Sequence, residues 1–509
     1  MLEDVNGTIR DMDRSSSHTD SRLSQRAPAA EAEYLARAHR DLESLSPVMT
    51  PLAQAFNADG FDLYLVGGSV RDALLGRLST DLDFTTNARP QDIHRLLKQT
   101  CDAVWDTGID YGTVSGQRNG QDIEITTFRA DTYDGESRNP DVTFGDSLDK
   151  DLTRRDFTIN AMAVEVRGDG AQVFHDPLNG LADLVGGSLD TPDDPAISFH
   201  DDPLRMLRAC RFVSQLGLSV APRVRHAMER MAGDIQRITA ERVHAELDKL
   251  IVGDDPARGI DLMVDAGLAD YIIPEIPAMK MTQDEHMQHK DVYAHSLQVM
   301  RQAIDREPDG PDLVLRWAAL LHDCGKPATR ALKPGGGVTF YHHDVVGAKM
   351  ARKRFRALKY SKQFIKDVSG LIYLHQRFHG YTEKAWNDSA VRRYVADAGP
   401  LLPQLHRLVR ADCTTRNKAK ARRLQRLYDD LEGRIEEIQR KEDLARIRPD
   451  LDGQDIMAIL DIEPGPLVGK AWKHMKDVRL DRGPLEREDA IVELKTWWVE
   501  EQESKEHDL

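Results

Sequence analysis

Leu65-Val-Gly-Gly-Ser-Val-Arg-Asp-Ala-Leu-Leu-Gly-Arg-Leu-Ser-Thr-Asp-Leu-Asp-Phe84 is the stretch on which the fold reading turns. The apolar run Tyr64-Leu65-Val66 enters Gly67-Gly68-Ser69, and Val70 to Leu78 is amphipathic, which predicts a strand, a turn and a helix. The free N–H groups and dipole of such a helix start attract phosphate. Gly68 lets the backbone come close, and Ser69 offers a hydroxyl donor. Asp81-Leu82-Asp83 then opens a second apolar run, and carboxylates two apart on a strand share a face. A lone Gly-Gly-Ser is usually a turn, and a lone Asp-x-Asp is usually a solvated strand end. Together, a phosphate cradle and paired carboxylates suit two Mg²⁺ ions that clamp an attacking hydroxyl and a leaving pyrophosphate.

Working outward, strand-like runs are expected at 81–86, 111–116, 122–128 and 159–166, with a helix at 90–99 and a helical pattern from Tyr34 to about Phe56. In Asp122-Ile-Glu-Ile-Thr-Thr-Phe128 the alternation puts Ile123 and Ile125 on one face and Glu124 on the other, as a third carboxylate beside the pair. The plainer alternative is an exposed glutamate on an amphipathic strand. After Phe199 the pattern is helical almost without interruption. The expected fold class is α+β, a small mixed-sheet head followed by a long all-α body. The expected divisions are a disordered tail at 1–28, the head at 29–185, a helical domain at 186–275, a second helical domain at 276–430 and a C-terminal helical segment at 431–509.

The 509 residues can bury more than one core, and the net charge of −16 argues against nonspecific polyanion binding by the whole surface. Local basic runs at 351–362 and 416–426 are the exceptions and suit an RNA backbone, unless they are simply solvated helix faces. Cys101, Cys210, Cys324 and Cys413 are scattered, which suits free thiols in a reducing cytoplasm. No apolar run approaches a membrane span and no secretory signal is present, so a cytoplasmic location is expected.

Asp151-Leu-Thr-Arg-Arg-Asp156 places Arg154, Arg155 and Asp156 before an apolar run, and paired guanidinium forks suit ribose and phosphate oxygens. His200-Asp-Asp-Pro-Leu-Arg205 begins a helix, with Asp201 or Asp202 as cap and Pro203 in its first turn. Asp202 and Arg205, three apart, are placed to read a base edge: a carboxylate accepts an exocyclic amine and a guanidinium donates to ring nitrogen and carbonyl, which selects cytosine or adenine. The alternative is a surface salt bridge.

In order, these stretches resemble class II tRNA nucleotidyltransferases of the DNA polymerase β-type superfamily, the CCA-adding enzymes and bacterial poly(A) polymerases. The resemblance runs from about 61 to 250. It takes in Gly67-Gly68-Ser69 with Asp81 and Asp83, Arg154-Arg155-Asp156, Asp176–Leu184, Asp201–Arg205 and Glu241–Glu246. One departure is Asp201, where the family usually has Glu. The resemblance implies Mg²⁺ on Asp81 and Asp83, with Glu124 on the same face. It also implies nucleotide binding by Gly68, Ser69, Arg71, Arg154, Arg155, Asp156, Asn160, Asp202, Arg205, Arg208 and Arg211. Residues 130–147, with Arg129, Asp131, Tyr133 and Arg138 in and beside them, correspond to the loop needed to switch from C to A addition. Implied partners are tRNA, CTP and ATP, with no membrane and no DNA, and a monomer or homodimer. A poly(A) polymerase is the near alternative, but its usual basic C-terminal tail is replaced here by Glu500–Leu509.

A second set, His295, His322-Asp323, His342-His343, His375 and Asp412, mixes imidazole and carboxylate in a way that favours Mn²⁺, Ni²⁺, Mg²⁺ or Fe²⁺ over a closed zinc site. It resembles an HD-type phosphohydrolase domain, with His295, His322, Asp323 and Asp412 as ligands and His343 and His375 as extra ones. An HD phosphohydrolase with an RNA-binding head is the alternative from another class. Residues 451–472 are expected to form two short helices joined at Pro464-Gly465-Pro466, with Lys470 near the second helix start, and Trp497-Trp498 to serve packing.

Overall fold

A computed structural model describes residues 13–78, 80–129, 145, 147–280, 291–333, 337–378, 380–381, 386–414, 417–442 and 448–507. The chain divides into two compact units between Ile272 and Ile273.

The first unit holds a mixed seven-stranded sheet. Its strands are β1 (Leu63–Val66), β2 (Asp81–Thr86), β3 (Ala103–Trp105), β4 (Thr113–Arg118), β5 (Gln121–Thr127), β6 (Ala163–Val166) and β7 (Gln172–His175), in the order β3-β4-β5-β2-β1-β6-β7. β2 and β5 run parallel and the remaining neighbours are antiparallel. The parallel register sets Asp81 opposite Asp122 and Asp83 opposite Glu124. Leu82, Phe84, Ile123 and Ile125, on alternate positions, are buried. Period two therefore leaves the acids of both strands on the other face.

Helices α1 (Asp13–Ser44), α2 (Ser46–Ala58), α3 (Gly68–Leu75) and α4 (Pro90–Thr100) accompany the sheet. Gly67, with φ of 70°, turns β1 into α3, and Gly76 in the left-handed region ends it earlier than the expected Leu78. The tail expected to be disordered is helical from Asp13 onward. Elongating a helix whose later residues, such as Ala38 and Leu42, are buried adds a hydrogen bond per residue without a new nucleation cost.

Two further departures have local causes. The expected strand 159–166 is only β6, because Thr158–Asn160 forms a 3₁₀ turn in which the Asn160 amide bonds Asp156 and Arg71. The expected strand 111–116 begins instead at Thr113, after a 3₁₀ turn and Gly112 at φ of 82°. β3 and β7, short edge strands, were not anticipated. Of the 130–147 loop only Gly145 and Ser147 are described; Asp131, Tyr133 and Arg138 lie outside the described residues.

Short helices follow: α5 (Leu148–Thr153), α6 (Gly180–Gly186), α7 (Pro195–Asp201), α8 (Leu204–Leu216), α9 (Pro222–Met231), α10 (Ala240–Ile251), α11 (Pro256–Asp265) and α12 (Leu268–Ile272). α10 and α11 pack on α8 through Leu207, Cys210, Leu247, Leu250 and Ile260, all buried.

Among the described residues, the second unit is helical apart from a two-stranded ribbon, Ala331–Leu332 with Val338–Thr339. It contains α13 (Val292–Ile304), α14 (Leu313–Leu321), α15 (Lys326–Thr329), α16 (His343–Ala357) and α17 (Lys362–Leu374), then helices at Asp388–Ala398, Leu402–Ala411, Lys418–Lys441, Gly453–Leu460, Pro466–Arg482 and Arg487–His507. The helix pair at Pro464–Pro466 is present, its second member longer than expected. Lys470, exposed near the start of the second helix, pairs with Glu501 at 2.9 Å. Trp497 packs into the C-terminal cluster and stacks on His474, as packing predicts. All four cysteines are free, and among the described residues no helix is long and apolar enough to cross a membrane.

Candidate active site

Strand geometry builds the first site. Asp81 and Asp83 are exposed on one face of β2, with Glu124 on the same face of β5. Asp83 is reached from a cleft yet hemmed in by protein. That desolvation, and next the Glu124 charge, raise its pKa, while Arg155 partly opposes them. Three carboxylates on one face, one of them disfavoured as an anion by burial and an acidic neighbour, are a fit for a divalent cation.

The Ser69 hydroxyl, buried at the start of α3, donates to the Asp81 carbonyl at 3.2 Å and accepts from the Asp83 N–H at 3.1 Å. It therefore pins β2 to the start of α3. Gly68 opens α3. At Gly67 the positive φ favours glycine, and a Cβ there would lie 3.0 Å from Arg155 Nη1 and press that guanidinium aside.

Guanidinium groups line the same cleft as Asp83 and Glu124. That cleft, of about 350 Å³, is lined by Asp83, Glu124, Arg129, Asp151, Arg154, Arg155, Asp156, Asp202, Arg205, Arg208 and Arg242, among others. Arg154 and Arg155 sit at the end of α5 rather than at a strand entrance, and both bond Asp151, at 3.2 and 3.1 Å. Asp151 is almost fully buried. Burial would raise its carboxyl, but Arg155 and Arg154 hold it below the usual range.

Asp156 is also buried. Burial is outweighed there by Arg208, whose Nε donates at 2.8 Å, and by the Asn160 amide at 3.0 Å, leaving its pKa at about 2. Arg71 donates to Asn160 Oδ1 at 2.6 Å. Arg71, Arg208 and Arg211 surround the Phe212 ring at 5.2, 5.7 and 4.3 Å. Glu246 neutralises the innermost of them, Arg211, at 3.3 Å, and burial with the neighbouring Arg208 lowers the Arg211 pKa to about 10.

Asp202 and Arg205 both line this cleft; the Arg205 N–H donates to the Asp202 carbonyl at 3.0 Å, but their side chains have other partners. Asp202 precedes α8, caps the Leu204 N–H at 3.1 Å and takes Arg242 on its other oxygen at 2.8 Å. Arg205 donates to Ser198 Oγ and to the Arg154 carbonyl, each at 2.8 Å. Asp151, Ser198, Arg242 and Glu246 had no assigned role. For Asp151 the i+3 and i+4 spacing to Arg154 and Arg155 was the available signal. The others depend on long-range contacts.

In the second unit, six side chains converge. His295 Nε2 lies 2.9 Å from Asp412 Oδ1 and 3.6 Å from Asp323 Oδ2, and His322 Nε2 lies 3.2 Å from Asp323 Oδ2. On the opposite side, His343 and His375 face Asp323 Oδ1 at 3.2 and 3.9 Å. The four expected ligands are thus together, and the two extra histidines join them through the second oxygen of Asp323. Outer nitrogens are fixed by the backbone. Nδ1 of His322, His343 and His375 donates to the carbonyls of Ala319, Phe340 and Ile372, which turns each Nε2 inward.

His322 Nε2 and Asp323 Oδ1 are buried with close ionic neighbours but no well-formed hydrogen bond, an arrangement that a divalent ion between them would satisfy. Burial opposes protonation of His322, but Asp323 and Asp412 raise its pKa. Those two carboxyls are held well below their usual range by their histidines, against burial. Lys326, which had not been singled out, bonds Asp323 Oδ2 at 2.5 Å.

The sheet, its one-faced carboxylates and the arginine-walled cleft define a nucleotidyltransferase head. Residues 63–190 match the family model of the poly(A) polymerase head domain, 217–279 that of an RNA- and SrmB-binding site of polymerase A, and 292–417 that of the HD domain. The A-adding tRNA nucleotidyltransferase of Deinococcus radiodurans is 32% identical over 445 residues, 86% of this chain and 95% of that protein. The chain belongs to the tRNA nucleotidyltransferase family. The CCA-adding enzyme of Latilactobacillus sakei is 42% identical over 222 residues, 43% of this chain; there the chain spans about half the relative, 54% of its length. The Bacillus stearothermophilus CCA-adding enzyme, solved in complex with CTP, shares the fold with a TM-score of 0.59 at 23% identity, over 91% of this chain and 99% of that one.

Proposed function

We propose that this chain adds C, C and A in turn to the 3′ end of tRNA, from CTP and ATP and without a nucleic-acid template. The observation that carries the reading is that Asp81, Asp83 and Glu124 share one sheet face, and that Asp83 and Glu124 line one cleft with Asp202, Arg205 and the guanidiniums of Arg154, Arg155 and Arg208. Asp81 and Asp83 would hold Mg²⁺, with Glu124 beside them. When bound, the metal neutralises charge on the α-phosphate and lowers the pKa of the RNA 3′-hydroxyl.

The chain's own groups do the rest. The Gly67-Gly68 turn admits the triphosphate against the start of α3. Arg154 and Arg155 bind ribose and phosphate oxygens, and the Arg71, Asn160, Asp156 and Arg208 network fixes the wall behind them. Asp202 accepts from the exocyclic amine of cytosine or adenine while Arg205 donates to the ring, so uracil and guanine leave both groups mismatched. Exposed Arg352, Lys353, Arg356, Lys359 and Lys362, and Lys418, Lys420, Arg422, Arg423 and Arg426, would carry tRNA backbone phosphates. Arg416, the first residue of the second run, lies outside the described residues.

The test is incorporation of labelled CTP, ATP or both into a tRNA transcript ending at the discriminator base. Two C followed by one A, lost in Asp81→Ala, upholds the reading. Unlimited A addition to any RNA would replace it with poly(A) synthesis. A second reading, A addition alone, is favoured by the A-adding relative that aligns along most of both chains. It predicts activity only on transcripts already ending in CC. For the second unit we propose a phosphohydrolase centre loaded with Mn²⁺, Ni²⁺ or another divalent ion on His295, His322, Asp323 and Asp412, with His343 and His375 serving the other Asp323 oxygen.

A further inference from the structure

Asp151 is 1% exposed, yet it lines the cleft and engages three of its arginines with both carboxylate oxygens. Oδ1 accepts from Arg154 Nε at 3.2 Å and from the backbone N–H of Arg129 at 3.3 Å, and Oδ2 accepts from Arg155 Nη2 at 3.1 Å. Water reaches almost none of this carboxylate, so those donors are what keep it ionised against burial.

Each partner leads to a different part of the site. Arg155 approaches Gly67, where β1 turns into α3. Arg129 follows β5, the strand that bears Glu124, and its guanidinium donates to Thr113 Oγ1 on β4 at 3.2 Å. Arg154 leads toward the base-reading helix. Its carbonyl, at the C-terminal end of α5 where intrahelical partners run out, accepts from Arg205 Nη2 at 2.8 Å. Ser198 Oγ on α7 accepts from Arg205 Nη1 at the same distance. The Arg205 guanidinium is therefore held at two nitrogens, by a side chain of α7 and, through Arg154, by Asp151. Two fixed bonds set the plane of this fork, and a planar donor separates base edges only when its plane is set. A guanidinium free to swing would meet a carbonyl of uracil as readily as one of cytosine.

Resting on the proposed reading of the cleft, we infer that Asp151 is a positioning residue for base selection. Through Arg154 it sets the plane of Arg205, and through Arg155 it sets the ribose and phosphate contacts of the same nucleotide. One buried carboxylate thus couples the seating of the triphosphate to the choice of base.

The test compares wrong with right nucleotide as a ratio of kcat/KM, UTP against CTP on a tRNA transcript ending at the discriminator base and GTP against ATP on one ending in CC. In Asp151→Asn that ratio should rise roughly tenfold, the scale of one good polar contact. The KM for the right nucleotide should rise by a similar factor, with kcat within about threefold, because the carboxylates of β2 and β5 keep their places. Asp151→Glu, which keeps the charge but carries it one methylene further, should move the ratio in the same direction. Ser198→Ala loosens the other side of Arg205 and should raise the ratio too. The double variant Asp151→Asn with Ser198→Ala should raise it by less than the product of the single effects, since both bonds hold one guanidinium. A purely structural role for Asp151 would lower kcat for all four nucleotides together and leave the ratio where it is. That result, or an unchanged ratio in both Asp151 variants, would overturn the inference and leave the cleft reading standing. A wild type that takes the wrong nucleotide as readily as the right one would overturn both.

Discussion

The two candidate centres are built on opposite plans. In the head, carboxylates are exposed on strands, and the cations that share their cleft are already committed to partners, so its charge is spread along the lining. In the helical unit, His322, Asp323 and His375 are almost fully buried, and four histidines gather around Asp323, two of them also meeting Asp412. An open cleft suits a substrate that must enter, react and leave as a polymer end. A buried imidazole cluster with backbone-fixed tautomers suits an ion that stays. Two sites in one chain can therefore share metal-ion chemistry while differing in what the protein holds rigid, the substrate path in one and the ligand set in the other.

The sharpest way to break this contrast is to remove one centre and read both. Asp83→Ala should lower nucleotide incorporation by on the order of 10³-fold while leaving Mn²⁺ or Ni²⁺ binding, measured by calorimetry, unchanged. His322→Ala should do the reverse, weakening that metal binding roughly 100-fold with incorporation intact. Loss of both properties in either variant would mean that the centres are not independent.

Metal retention gives the next effect. At 100 times its dissociation constant an ion bound only by the folded cluster adds about 2.7 kcal/mol, so Mn²⁺ should raise the melting temperature of the wild type and not of His322→Ala. An equal rise in both would relocate the ion.

Asp156 sharpens the other side. Its folded pKa of about 2 lies below the ordinary 3.8, so its stabilisation is fully present above that ordinary value and is lost as pH falls through the folded one. The shift corresponds to roughly 2 kcal/mol. In urea melts Asp156→Asn should be less stable by about that much at pH 6, with the gap to wild type closing between pH 4 and 2. A constant gap would show that the carboxylate charge is not what holds Arg208.

The smallest effect is expected at Ser69→Ala. Loss of two hydrogen bonds should cost about 1 kcal/mol of stability and raise the nucleotide KM before it alters the fold.

Legibility in the sequence followed distance along the chain. Gly67, Asp81, Asp83 and Glu124 were readable because a turn and a period of two place them, and parallel pairing of β2 with β5 then does what the alternation implied. His295, His322, Asp323 and Asp412 were readable as a set, since few other roles suit that mixture. What local spacing missed was who holds whom. Asp202 and Arg205 look like a helical i, i+3 pair, yet one is gripped by Arg242 and the other by Ser198 and a carbonyl of α5, contacts spanning up to 51 positions. The bridging position of Asp323 was hidden for the same reason, because His343 and His375 come from separate helix ends. The short edge strands β3 and β7 carry too few residues for alternation to show.

The Ser69 hydroxyl has a mechanical meaning. One oxygen, given to the Asp81 carbonyl and taking the Asp83 N–H, ties the turn proposed to meet the triphosphate to the strand that bears two of the carboxylates. The slack in such a bond is a few tenths of an ångström, whereas a misplacement of about 1 Å costs on the order of 100-fold in rate. Cradle and carboxylates are thus machined to one tolerance: a nucleotide that displaces the turn also moves the acids out of alignment, so poor seating is answered with slow chemistry.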